Sequence, residues 1–87
     1  LWDGAVAARD RVAAVLVDAF DRRKIDAWVV KSKPGAYPPS VCVHSWIVRR
    51  SDPESAVFDR GSISVSVEVT PHYERSHSYT VSLQRHC

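Results

Sequence analysis

The sequence predicts an α+β domain in which one long N-terminal helix lies on a four-stranded, mainly antiparallel meander, in the order helix, strand, strand, strand, strand. Three observations carry that expectation. Trp2 to Phe20 repeat their apolar positions with the period of a helix, Ser62 to Thr70 alternate strictly between polar and apolar, and Ser78 to Arg85 repeat the alternation close enough in sequence to form a hairpin. With 87 residues there is room for a single domain, residues 1–87. A chain of that size buries only about 60 to 65% of the surface its unfolded form exposes.

On a helical wheel Ala5, Ala8, Val12, Val15, Leu16, Ala19 and Phe20 fall on one side, with Asp10, Arg11, Asp18, Asp21 and Arg22 on the other. Val6, Ala13 and Val17 widen the apolar arc, and so many small residues favour close approach to a curved sheet. Asp3 is placed as an N-cap, Asp18 and Arg22 stand at the i,i+4 spacing, and Arg22, Arg23 and Lys24 bring positive charge to the last turn. Arg9 lies inside the apolar arc. It is expected to snorkel past the sheet edge with its head in water, the alternative being a guanidinium aimed at an anion or a partner carboxylate.

Ala27 to Lys33 reads as the first strand, closed by Pro34 and Gly35. Lys33 to Ser40 then holds a turn dipeptide and a stiff Pro38-Pro39 pair, so an exposed loop projecting Tyr37 is expected. Val41 to Arg50 is the second strand. In the segment after it, Asp52-Pro53-Glu54 resembles a helix start, and a helical turn ending near Gly61 is expected, with Val57 and Phe58 anchored to the core. Pro71 to His77 joins the last two strands. The expected core is Val12, Leu16, Phe20, Val43, Ile47, Ile63, Val65, Val67, Val81 and Leu83. A helix followed by four antiparallel strands resembles the cystatin-type arrangement in outline. The Q-x-V-x-G signature of that family's inhibitors is absent, Gln84 being followed by Arg85-His86-Cys87, so the resemblance implies nothing about activity.

Composition is that of an ordinary globular domain, 45% hydrophobic and 25% charged, and the apolar runs are too short to span a bilayer. The formal net charge is only +2, a small excess for a nucleic-acid binder. The two cysteines, Cys42 and Cys87, fall short of a disulfide framework, so a reducing, cytoplasmic setting is expected. The chain opens on Leu rather than Met and contains no secretory h-region, so an address signal can lie outside it.

No motif for nucleotide chemistry appears, the glycines being isolated. Cys42, His44, His72, His77, His86 and Cys87 are suitable metal ligands, but the hairpin puts His72 and His77 at its tip and His86 and Cys87 about 25 to 30 Å away. No metal or other cofactor is expected. Cys42 and His44 share a strand face at i,i+2 without an orienting acid, so a structural cysteine beside a half-exposed histidine is expected rather than a nucleophile and its base.

What remains is a mismatch. Trp28 and Val30 oppose Ala27 and Val29, Trp46 and Val48 oppose Val43 and Ile47, and one helix cannot cover both faces. The expected function is therefore a non-catalytic protein-interaction or oligomerisation module, a component of a larger assembly, using Trp28, Val30, Tyr37, Trp46 and Val48 toward a protein partner or a second copy. The alternative is a nucleic-acid-binding domain in which Arg22, Arg23, Lys24, Lys31, Lys33, Arg49 and Arg50 form a basic patch beside stacking aromatics.

Overall fold

A computed structural model gives the fold of the chain; it describes residues 2–52, 55–73 and 76–87, with side chains described for 2–46, 61–73 and 76–87. The order is helix α1 (Trp2–Arg22), then strands β1 (Ala27–Lys31), β2 (Ser40–Asp52), β3 (Ser55–Pro71) and β4 (His77–Gln84). All neighbours are antiparallel and the sheet order is β1-β2-β3-β4, the meander expected from the sequence.

The helix begins at Trp2, so Asp3 sits within its first turn and acts on the exposed N–H groups by charge instead of capping from outside. Its C-terminus closes in a Schellman arrangement. The Ile25 N–H donates to the Phe20 carbonyl and the Lys24 N–H to that of Asp21, both at 3.0 Å, while Lys24 takes a left-handed φ of 60°. Residue 24 thus turns the backbone out of the helix as well as carrying a charge.

The register answers which face of β1 and β2 meets the helix. Val29, Val43 and Ile63 form one row, and Lys31, Val41, Val65 and Leu83 the next, all on the helix side. Val41, Val43, Val65 and Val67 are fully buried, with Ala5, Ala8 and Ala13 pressed on them. Val12, Leu16, Val17, Phe20 and Ile63 pack partly buried around this centre. Those alanines bring the helix backbone close to the sheet, and Gly4 closes the contact at the N-terminal end, where a Cβ would collide with the Tyr79 hydroxyl.

Four expectations need correction. Val15 is exposed, because the helix rests on the Ala5, Ala8, Ala13 stripe and residue 15 rotates past its edge. Val81 and Leu83 face the helix side but remain 41% and 55% exposed, since β4 is an edge strand that the helix meets at its N-terminal end, by Tyr79, and not along Val81 and Leu83. Residues 55–61 are strand, not a helical turn: the ladder from Val41↔Val65 to Arg50↔Ala56 wins over the local Pro-Glu signal. The first strand ends at Lys31, and the next residues belong to the loop. The Ile47, Val57 and Phe58 side chains lie outside the described residues.

β1 pairs with residues 41–45 of β2, with one further bond from the Trp46 N–H to the Asp26 carbonyl, and β4 pairs with 64–71 of β3, so among the described residues 47–52 and 55–59 pair with each other alone. This two-stranded arm accounts for a long axis of 59 Å against 22 and 16 Å. For the core, Val65→Ala should cost about 2 to 3 kcal/mol, as a fully buried side chain does, whereas Leu83→Ala should stay within about 1 kcal/mol. Urea denaturation of the two variants checks the assignment.

Candidate interaction surface

On the sheet face away from the helix, the even-numbered residues of β1 and β2 stand together. Trp28 is opposite His44 and Val30 opposite Cys42, with Trp46 diagonal to Trp28. The Trp28 ring stacks on the His44 imidazole at 5.5 Å, 21° between planes, and meets the Trp46 indole at 6.2 Å, tilted by 47°. Trp28, Val30 and Trp46 are 38%, 53% and 39% exposed. They form an apolar surface of two indoles and a valine, held by ring contacts.

The rest of that face is polar, with Ser62, Ser64, Ser66 and Glu68 on β3 and Thr80, Ser82 and Gln84 on β4. Across it runs the C-terminal tail. The Cys87 N–H donates to Ser62 Oγ at 3.3 Å, and Cys87 forms a disulfide with Cys42, their Cα atoms 5.9 Å apart. The structural cysteine expected beside His44 is thus one half of a disulfide, a pairing not expected from the sequence. The His44 Nδ1 lies 3.8 Å from the Cys42 sulfur, but a disulfide sulfur supplies no thiolate, so nucleophile and base chemistry has no basis here. Two cysteines far apart in sequence offered no signal for this pairing; it depends on the tail crossing β3.

Tyr37 stands elsewhere. Its hydroxyl accepts the Val69 N–H at 3.1 Å and donates to the Val69 carbonyl at 3.4 Å, and its ring tilts against Trp2 at 4.7 Å, on the helix side of the sheet. The loop that carries it turns at Pro34-Gly35, where Gly35 has φ 85° and the Ala36 N–H donates to the Lys33 carbonyl, a type II turn. Tyr37 therefore fastens a loop instead of extending the tryptophan patch. The Val48 side chain lies outside the described residues.

Among the described basic residues, Arg22 and Arg23 stand at the helix end and Lys31 at the far end of β1. Arg22 pairs with Asp18 at 3.0 Å, and Arg23 donates to the Ala19 carbonyl at 2.9 Å as a helix-end cap. Lys31 lies at the other end of β1, 3.5 Å from Asp10 Oδ2, with Lys33 beyond it in the loop. The side chains of Arg49 and Arg50 lie outside the described residues. Arg9, expected to reach water, is only 6% exposed. It donates through Nε to Asp10 Oδ1 at 3.0 Å and through Nη1 to the Ser40 carbonyl at 3.3 Å and Ser32 Oγ at 3.5 Å. The guanidinium thus clamps the β1–β2 loop to the helix, with its own neighbour as the carboxylate.

His72 Nε2 lies 2.6 Å from Ser78 Oγ, a turn contact, and among the described residues no three metal-ligating side chains cluster. No described helix is long and apolar enough to cross a membrane. No protein-family model matches the chain, nor does any curated protein or solved structure.

The disulfide closes a span of 45 residues, for which the loop-entropy relation gives about 4 kcal/mol of stabilisation. Cys42→Ser and Cys87→Ser should each lose about 2 to 4 kcal/mol in urea unfolding under non-reducing conditions. Both should become insensitive to dithiothreitol, and a wild type equally insensitive would refute the bridge.

Proposed function

We propose that the chain is a non-catalytic protein-interaction module, a component of a larger assembly, which docks a protein partner or a second copy on the outer face of β1 and β2. The observation that carries this reading is the exposed Trp28, Val30 and Trp46 surface, ordered by ring contacts and backed by the Cys42–Cys87 bridge. Aromatic side chains held in place lose little freedom on binding, and interface energy concentrates on such anchors. The rival is a complete monomer in which Val57, Phe58 and the Pro34 to Pro39 loop fold over this face; against it, residues 57 and 58 lie in β3 opposite Arg49 and Val48, and Tyr37 of the loop is bonded to Val69 beside Trp2. A disulfide is kept most readily in an oxidising compartment, so this feature favours such a setting over the cytoplasm.

Light scattering over a concentration series tests the reading. Wild type should associate, and Trp28→Glu should lower the average mass at each concentration with an unchanged circular dichroism spectrum. A wild type that stays monomeric, alone and with its natural flanking sequence, or a variant with the wild-type mass throughout, overturns docking of a second copy on this face.

The nucleic-acid reading is the second choice because Arg22, Arg23 and Lys31 are already engaged within the chain and stand at opposite ends of β1. Anisotropy titration of labelled single-stranded DNA at low salt should show no binding. Binding that weakens with a log-log salt slope of roughly 0.7 per phosphate neutralised would reverse the order of the two readings.

A further inference from the structure

Among the described residues the two edges of the sheet carry no further strand, β1 on one side and β4 on the other. Which backbone groups they present follows from bonds at the ladder ends. The Trp46 N–H donates to the Asp26 carbonyl and the Ser32 N–H to that of Ser40, so the hydrogen-bonded pairs of β1 with β2 fall on the even residues 26, 28, 30 and 32. Ala27, Val29 and Lys31 consequently turn their N–H and C=O groups to the open edge. The His72 N–H donates to the Ser76 carbonyl, and the same alternation directs the backbone groups of His77, Tyr79, Val81 and Leu83 outward from β4. On both edges the residues with outward backbone groups carry their side chains on the helix side.

We propose that β4 of one copy adds to β1 of the next, so that the sheet continues from chain to chain head to tail. In the meander β4 runs opposite to β1, and a neighbour related by simple continuation brings them together antiparallel. The outward residues of the two edges then meet as hydrogen-bonded pairs with their side chains on the same face, as an antiparallel ladder requires. Aligning Val29 with Val81 places Ala27 beside Leu83 and Lys31 beside Tyr79. Val29, Tyr79, Val81 and Leu83, all exposed in the single chain, become covered.

Charge fits the same register. Beside β1 the helix and sheet leave a groove of about 540 Å³ whose apolar floor is Ala13, Ala14, Val17 and Val29 and whose rim carries Asp10, Asp18, Asp21 and Asp26. Asp10 is taken by Arg9 and Lys31, and Asp18 by Arg22, but among the described residues no ion pair reaches Asp21 or Asp26. In this register Gln84, the last residue of β4, stands opposite Asp26 of the adjoining copy, and Arg85 follows it at the bend from which the tail turns across β3, next to the unpaired end of the groove. Repeated, the contact is heterologous and closes a ring or extends a filament according to the sheet's twist.

The inference does not rest on the tryptophan face, and the test is run in a Trp28→Glu background so that the two readings fail separately. Val29→Pro and Val81→Pro each remove one outward N–H without touching the chain's own ladder. In sedimentation velocity the Trp28→Glu protein should still associate, whereas either proline variant alone should be monomeric. Mixed in equal amounts they should form a two-chain species and nothing larger, because each keeps one good edge. Should the prolines impair folding, Arg85→Glu is expected to weaken association roughly tenfold or more by like charge, with Asp26→Arg in the same chain restoring it. A monomeric Trp28→Glu protein, folded proline variants that associate unchanged, or an Arg85→Glu variant of unaltered affinity overturns the proposal.

Discussion

One helix has to serve four strands, and most of the molecule follows from that shortage. A helix with its side chains is about 10 Å across, whereas strands lie about 4.8 Å apart, so it shields the two middle strands and little more. The buried valines are accordingly Val41 and Val43 on β2 and Val65 and Val67 on β3. Val29 on β1 and Val81 and Leu83 on β4 have the same orientation and comparable chemistry, yet stay open at the flanks. Among the described residues no helix covers the opposite face.

A core this narrow leaves the rest of the chain to be fastened by specific contacts. On the helix side, Arg9 ties the ends of β1 and β2 to the helix through Ser32 and Ser40, and Asp10 holds both Arg9 and Lys31. Tyr37 bonds its loop to the Val69 backbone beside Trp2. On the other side the tail reaches over β3 to the Cys42 bridge. These polar and covalent ties act where apolar burial is scarce, which is the usual recourse of a small domain.

The fold was legible because its main signals are periodic and local. Alternation in residues 62–70 and 78–84 and the helical stripe of residues 5–20 each need only neighbours in sequence to be read, and all three appear where expected. Failures came where distant partners decide. Asp52-Pro53-Glu54 looks like a helix start in isolation, but residues 55–60 have a facing strand in residues 46–52 and join it. Arg9 is held by groups from residues 32 and 40, and Cys42 by the last residue of the chain, pairings that no spacing announces. Of the residues expected at the surface, Trp28, Val30 and Trp46 do share the outer face because their parity in the strands fixes it, while Tyr37 belongs to a loop whose direction the Pro-Gly turn sets.

The tryptophan face and the open edges are set at right angles, so use of one does not obstruct the other. In a sheet continued through its edges, every copy keeps its helix on one side and its Trp28, Val30 and Trp46 surface on the other. The outer-face neighbours of Trp28 and Val30 across such a junction are Thr80, Ser82 and Gln84, so polar stripes separate successive apolar surfaces instead of merging them into one exposed sheet of hydrophobic groups. Four strands at about 4.8 Å set the surfaces about 19 Å apart. A multivalent partner that spans this repeat gains avidity from the array with no new contact at any single site.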